Sequence, residues 1–412
     1  MPFSLKFFYS ICFLPAVLFS QDEALVDEEV WLDSLLGIES ETIPSGGDLP
    51  DDPSLSEMRD VLATIQAMTG WSTDGEIVMG AGWRENVLLE EVSGIDSGFA
   101  QVEADFFALR PGVGNRAELL ALLYGEYRYF FDVPGLDLES MTMAQVGAKW
   151  SFGERWETGT FFEGTFSEQA FDATLNDFET DASSVRVWQP DLGIDLGYDL
   201  GRFGQLEWRS QIGLTRYNEE DEDYETVAGS MFWSGDIAVR NRIRLGVETY
   251  QENYDDRLER VSIGFLQDAP LLELTGVRWQ ASWSYELEEG VVRGLKTRVS
   301  HERESDAVGD YYDRDRLQVR QSIELLWRNW EMDLSLSFGS TDYDSRLNAA
   351  FSEETRGDES WRWSFEAKRP LSSRLVFLAR FEDSDKESNA AGLSYDGTSV
   401  FIGLSLAGAG GS

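Results

Sequence analysis

Cysteine occurs once in this 412-residue chain, at Cys12, and histidine once, at His301. A single cysteine excludes a disulfide framework and a thiolate metal site, and a single histidine excludes the His sets that hold zinc. Positive charge is also scarce: 34 Lys and Arg stand against 76 Asp and Glu, for a formal net charge of −42. That balance excludes a nucleic-acid binder, which needs clustered Lys and Arg, and disfavours anionic membrane surfaces. It suits cation attraction and soluble loops. Beyond the first twenty residues, no apolar run approaches the roughly eighteen residues of a membrane helix.

The amino-terminal region reads as three consecutive segments. Residues 1–20 carry Lys6, an apolar run from Phe7 to Phe19 and a polar exit at Ser20, the pattern of a secretory signal peptide. Removing them takes away one base, Lys6, and no acid, so −42 becomes −43 and the mature chain has no cysteine. Residues 21–53 are acidic and rich in turn formers, with one apolar island around Trp31, Leu35 and Leu36. This composition predicts a flexible segment acting as a spacer, a docking peptide or a plug. Residues 54–70 predict a short amphipathic helix. Ser54 and Glu57 form a capping box, Leu55, Met58, Leu62 and Ile65 share a face, and Gly70 offers a stop.

From about Gly75 the pattern changes to short alternating runs. In "EMDLSLSFGS", Met332, Leu334, Leu336 and Phe338 fall on one side of an extended chain and Asp333, Ser335, Ser337 and Gly339 on the other. Elsewhere Leu192, Ile194, Leu196 and Tyr198 oppose Asp191, Asp195 and Asp199, while Leu206, Trp208, Ile212 and Leu214 oppose Glu207, Arg209 and Gln211. Ile243, Leu245 and Val247 oppose Arg242, Arg244 and Glu248, and Trp361, Trp363 and Phe365 oppose Arg362, Glu366 and Lys368. About sixteen such strands are predicted over residues 71–412, roughly fourteen to eighteen.

The connections come in two kinds that largely alternate. Tight ones are "GER" at 153–155, "GRFG" at 201–204, "RNR" at 240–242, "RNW" at 328–330 and "PLSS" at 370–373. Long acidic ones are expected at 167–183, 218–225, 301–315 and 340–360, and the pattern falters around "LQDAPLLELTGVRW". A closed sheet of about sixteen strands encloses more space than side chains can fill, so its polar face belongs to a wet lumen and its apolar face to lipid. Aromatic residues near strand ends, Trp150, Trp156, Tyr129, Trp327 and Trp330, are girdle candidates.

These features resemble the outer-membrane β-barrel class, porin-like proteins in particular, over residues 75–407. The resemblance implies an all-β fold, a transmembrane antiparallel up-and-down β-barrel of about sixteen strands, in the outer membrane of a Gram-negative-type bacterium. It implies a passive channel for small solutes, mildly cation-preferring given the acidity. The alternative is the barrel of an envelope export or adhesion system, such as polysaccharide export, with residues 21–70 as plug or docking segment. Implied partners are outer-membrane lipid and lipopolysaccharide, the barrel-assembly machinery, a periplasmic protein met through residues 21–70, and further copies of the chain. Barrels of this class commonly finish on an aromatic residue, whereas Val400, Ile402, Leu404 and Leu406 alternate as a closing strand and lead into a Gly/Ala/Ser tail. That departure bears on recognition by the assembly machinery.

Pore-lining candidates follow from the strand phases: Arg209, Arg242, Arg244, Arg320, Arg362 and Lys368, with Asp191, Asp195, Glu207, Glu248, Glu324 and Glu366. Such charges either set a field across an open pore or pair across a closed one. No catalytic set, cofactor site or metal set is expected. "HE" at His301 has Ser305 where a zincin would need its second histidine, Ser300 and Ser305 are the nearest hydroxyls for a serine hydrolase, and "PGVGNR" at 111–116 reads as a hairpin connection. The acidic run Glu219–Asp223 lacks the ligand spacing of a dedicated calcium loop.

Overall fold

The computed structural model describes residues 70–89, 94–112, 117–170, 184–218, 222–260, 269–287, 290–349 and 352–408. The signal sequence expected at 1–20, the acidic segment expected at 21–53 and, but for Gly70, the helix expected at 54–70 lie outside these. Sixteen strands follow in chain order. They are β1 (Ser72–Arg84), β2 (Ser97–Arg110), β3 (Glu118–Phe130), β4 (Leu138–Phe152) and β5 (Trp156–Ala170). Next come β6 (Ser184–Asp199), β7 (Gln205–Tyr217), β8 (Tyr224–Ala238), β9 (Asn241–Leu258) and β10 (Leu271–Glu286). The last are β11 (Val292–Asp306), β12 (Arg314–Trp327), β13 (Trp330–Leu347), β14 (Thr355–Pro370), β15 (Leu375–Ser388) and β16 (Tyr395–Ala407).

Each strand pairs antiparallel with its predecessor, and β16 returns to pair with β1 from Glu76↔Ala407 to Arg84↔Ser399, closing the barrel. "LQDAPLLELTGVRW" resolves into the β9–β10 connection followed by β10. The end holding the start of β1 and the end of β16 carries short connections, among them 153–155, 239–240, 328–329 and 371–374, whereas the strand ends joined by the longer stretches 85–96, 171–183 and 259–270 lie at the other end. This is the asymmetry of short periplasmic and longer outer connections.

Because side chains alternate, the register fixes the two faces for the whole sheet. On β13, Met332, Leu334, Leu336 and Phe338 point outward, and their cross-strand neighbours Leu325, Ile323, Gln321 and Val319 on β12 share that face. Large apolar side chains are exposed around the circumference, including Ile77, Val102, Leu192, Ile212, Leu245, Leu336 and Ile402. Leu317 to Trp327 on β12 is about 33 Å of extended chain, which at the tilt of a membrane barrel spans about 25 Å, the height of the apolar band.

The long acidic loops expected at 301–315 and 340–360 are shorter than the sequence suggested, because β11, β13 and β14 continue into them. Above the apolar band the outward positions become charged: Asp315 on β12, Asp342 and Asp344 on β13, Asp383, Asp385 and Glu387 on β15. Water solvates these groups while the backbone ladder continues unchanged, so alternation of apolar and polar residues stops where the strand does not. Arg303 on β11 ties this collar together, bonding Asp315 at 2.5 Å and Asp344 at 2.7 Å.

The girdle candidates all lie on the outward face. Trp150 and Trp156 flank the 153–155 turn and Trp327 and Trp330 the 328–329 turn, all at the periplasmic end, whereas Tyr129 lies toward the outer end. Trp156 packs on Tyr198 at 4.5 Å, Trp330 on Phe377 at 6.1 Å and Tyr129 on Phe131 at 6.1 Å between ring centroids.

A pair of neighbours on β13 tests the face assignment. Leu336→Arg is expected to destabilise the barrel by about 2–4 kcal/mol, whereas Ser337→Glu, one residue on and in register between Arg320 and Arg362, is expected to cost under about 1 kcal/mol. Reversible unfolding in phospholipid vesicles measures both, and equal penalties would contradict the assignment.

Candidate functional site

The candidate site is the inward face of the sheet, since this is the only surface a solute crossing the barrel could meet. The register places all twelve pore-lining candidates on it: Asp191 and Asp195 on β6, Glu207 and Arg209 on β7, Arg242, Arg244 and Glu248 on β9, Arg320 and Glu324 on β12, and Arg362, Glu366 and Lys368 on β14. Several meet one another or close neighbours. Arg209 bonds Asp195 at 2.7 Å, Arg244 reaches Glu207 at 3.4 Å, and Lys368 bonds Glu366 at 2.8 Å. Arg362 lies 3.5 Å from Glu382, while Arg320 donates to Ser335 Oγ and Arg242 to Ser234 Oγ.

Two denser networks include residues the sequence patterns did not single out. In the first, Arg380 on β15 donates to Glu366 on β14 at 2.5 Å and to Glu103 on β2 at 2.6 Å, and Ser405 bonds Glu76 beside them. In the second, Arg278 on β10 lies 3.6 Å from Glu248 and 3.0 Å from Glu302, while Arg314 on β12 holds Glu304 at 3.0 Å. The Tyr250 hydroxyl joins it, donating toward Glu302 at 2.7 Å and Glu304 at 2.5 Å. Each pair links strands at most three positions apart around the barrel, as β15, β16, β1 and β2 are for Arg380 and Glu103. These pairs therefore run along the wall, not across the lumen.

Tyr250 spans from β9 to β11 because β10 presents glycine beneath it. A Cβ at Gly276 would come within 2.1 Å of the Tyr250 ring. Phe161 lies over Gly193 in the same way, and Arg209 then stacks at 4.7 Å over that ring. Flat aromatic rings over glycine keep bulky side chains against the wall.

The wall also has apolar parts. Phe107, Leu122, Tyr124 and Met143 form a buried inward cluster on β2, β3 and β4, joined by Leu109, Leu120 and Met141. The signal was present in "ELLALLY", where both phases of the alternation are apolar at once. A second cluster draws in the β1–β2 connection: Val87 and Leu88 pack with inward-facing Val78, Phe99, Phe130, Leu378 and Phe401. Val87 N–H donates to Ile95 and the Asn86 side chain to the Asp396 carbonyl, folding this outer connection inward. Its apolar "VLL" at 87–89 is the corresponding sequence signal.

His301 faces outward, stacked on Trp279 at 5.9 Å with Nε2 3.6 Å from Asp315. Ser300 faces inward, and Ser305 is four residues along the strand, about 13 Å away. Neither hydroxyl is within reach of the imidazole. In the acidic run at 218–225, Glu222 bonds Arg257 at 2.5 Å and Asp223 accepts the Tyr217 N–H.

No family model matches the chain and no curated protein matches it. Among solved structures it is similar to OccAB1 of Acinetobacter baumannii, at 8% identity over 82% of this chain and 96% of that one, with a TM-score of 0.44. It is similar to an anion-selective porin from Comamonas acidovorans at 11% identity, over 82% and 99% of the two chains, TM-score 0.41. OpdQ of Pseudomonas aeruginosa gives 8% identity, 82% and 98% coverage, and a TM-score of 0.43. The closed sixteen-strand ladder and its outward apolar band define the fold. This arrangement, apolar outside and polar within, is the architecture of a transmembrane β-barrel.

The ring-over-glycine packing makes a quantitative prediction. Gly276→Val is expected to destabilise the barrel by about 1–3 kcal/mol by displacing Tyr250. In a Tyr250→Ala background the same substitution is expected to cost less, and a double-mutant cycle on unfolding free energies reads the difference. Additive effects would mean that Tyr250 is not held by this contact.

Proposed function

We propose that the barrel is a passive diffusion channel for small polar solutes, with a mild preference for cations. One observation carries the reading: near mid-height, like-charged side chains stand together on two arcs of the inner wall, basic on one and acidic on the other. Arg298 pairs in register with Arg320, and Arg362 follows two strands on, all near mid-height. Five to eight positions around the sixteen-strand barrel, β5 and β6 carry Glu163 paired in register with Asp191. Like charges directly opposite each other destabilise a sheet. Their retention on both arcs suits a transverse field that orients dipolar solutes in a wet lumen.

The cation preference rests on further acidic ladders, which outnumber the basic ones among the described residues. Glu324, Asp333 and Glu366 lie side by side across β12, β13 and β14, Glu76 pairs with Asp105, and Glu103 with Glu126. The net charge of −42 acts in the same direction by raising the local concentration of cations. In this reading the apolar band meets outer-membrane lipid and lipopolysaccharide, and the barrel-assembly machinery inserts the chain.

Single-channel recording in a planar bilayer under a salt gradient tests the proposal. Stable conductance with a reversal potential on the cation side is expected. Arg320→Glu with Arg362→Glu should shift that potential further toward cations, and Glu163→Gln with Asp191→Asn should shift it toward anions. A folded, heat-modifiable protein without conductance would overturn the channel reading. Conductance with an anion-side potential would overturn the selectivity alone.

A further inference from the structure

We infer that the outer rim carries a divalent-cation site of the calcium class, built by Asp306, Asp310 and Asp313 of the β11–β12 connection together with Glu259 at the end of β9. The first observation is spacing. One carboxylate oxygen from each of the three aspartates lies within 4.8 Å of the others. Calcium holds oxygens at about 2.3–2.6 Å, so ligands on opposite sides of the ion stand about 5 Å apart. The three groups are already at the separation that a shared ion requires.

The second observation is independent of the cluster and comes from a neighbouring connection. Glu259 is fully buried, at 0% exposure, and neither of its carboxylate oxygens has a hydrogen-bond partner of ordinary geometry, although the N–H groups of Glu273 and Ala307 face it. It is aimed at the aspartate loop. A Cβ built on Gly309, midway between Asp306 and Asp313, would stand 3.6 Å from Glu259 Oε2 and 1.9 Å from the Arg260 carbonyl oxygen. Glycine at 309 thus allows the two connections to approach this closely.

A buried carboxylate without a partner is costly, and a nearby positive charge is the ordinary remedy. Here the principal neighbouring charges are negative: burial first, then Asp306 and also Asp313, push the Glu259 carboxyl up to about 7. Nearby arginines are engaged elsewhere: Arg303 with Asp315 and Asp344, Arg314 with Glu304, and Arg257 with Glu222. The loop itself is preformed. Asp306 Oδ1 accepts the N–H groups of Val308, Gly309 and Asp310, its Oδ2 accepts that of Tyr312, and Asp313 Oδ1 accepts that of Asp306. Asp313 Oδ2, the Asp310 carboxylate and the second lone pair of Asp306 Oδ2 are left for the ion. An all-oxygen anionic set selects a hard cation, and its irregular geometry favours calcium over the strict octahedron of magnesium. A bound ion would pin the β9–β10 and β11–β12 connections together at the outer mouth.

Titration of the full-length protein in detergent with calcium chloride alone, followed calorimetrically at neutral pH, tests the site. One saturable site per chain is expected. Asp310→Asn and Glu259→Gln should each weaken it by at least about tenfold, while Asp385→Asn on β15, part of the remote acidic collar, should leave it unchanged. The Asp310 carboxylate accepts no backbone hydrogen bond in the loop, so its variant should keep the heat-modifiable mobility of the folded barrel and decides the matter if Glu259→Gln fails to fold. Absence of saturable heat up to about 1 mM calcium, or unchanged affinity in the folded Asp310→Asn variant, would overturn the inference.

Discussion

Hydrocarbon offers no partner to a backbone N–H or C=O, and each unsatisfied group there costs several kcal/mol. The pairing of β16 with β1 removes the last two open edges of the sheet, and the rest of the structure depends on it. Closure also makes the two faces globally consistent. Following the register around all sixteen strands from Glu76 returns to a β16 residue on the same face, so a one-residue slip anywhere would turn a whole strand's apolar side chains into the lumen. The even strand count then leaves the start of β1 and the end of β16 at the same end, the end with the short connections.

Within that frame each strand answers to two solvents. The outward positions meet lipid over the apolar band and water above it, which is why β13 passes from Leu336 and Phe338 to Asp342 and Asp344 without a break in its ladder. The inward positions face a space too wide for side chains to fill. Charged groups therefore lie against the wall and are satisfied by neighbours a few strands away, as Arg380 is by Glu103 and Glu366. Aromatic rings reach across by lying on glycine, as Tyr250 does on Gly276.

The legible part of the lumenal wall was the part with strict alternation. Arg242, Arg244 and Glu248 could be placed inward because Ile243, Leu245 and Val247 between them are apolar. Where both phases carry apolar residues, as in Leu119 to Leu123, alternation is silent about facing, and the inward apolar cluster of Leu122, Phe107 and Met143 emerged only from the register. Polar residues in both phases misled in the opposite direction. The stretch after Ser340 looked like a loop although β13 runs to Leu347, because charge on the outward face is tolerated beyond the bilayer.

Composition and period by themselves determined that this chain forms half-apolar strands, about how many there are, and which side chains share a face on each. Those properties are local: they follow from the two-residue repeat of an extended chain and from the energetic gap between lipid and water. Only the tertiary structure decided which distant residues meet. Glu103 and Arg380 lie 277 positions apart in the chain yet hold one another across four neighbouring strands. Glu259 comes to rest beside Gly309 through the pairing of β9, β10 and β11. Such juxtapositions depend on register, shear and closure, which are summed over the whole sheet and leave no mark in any single strand.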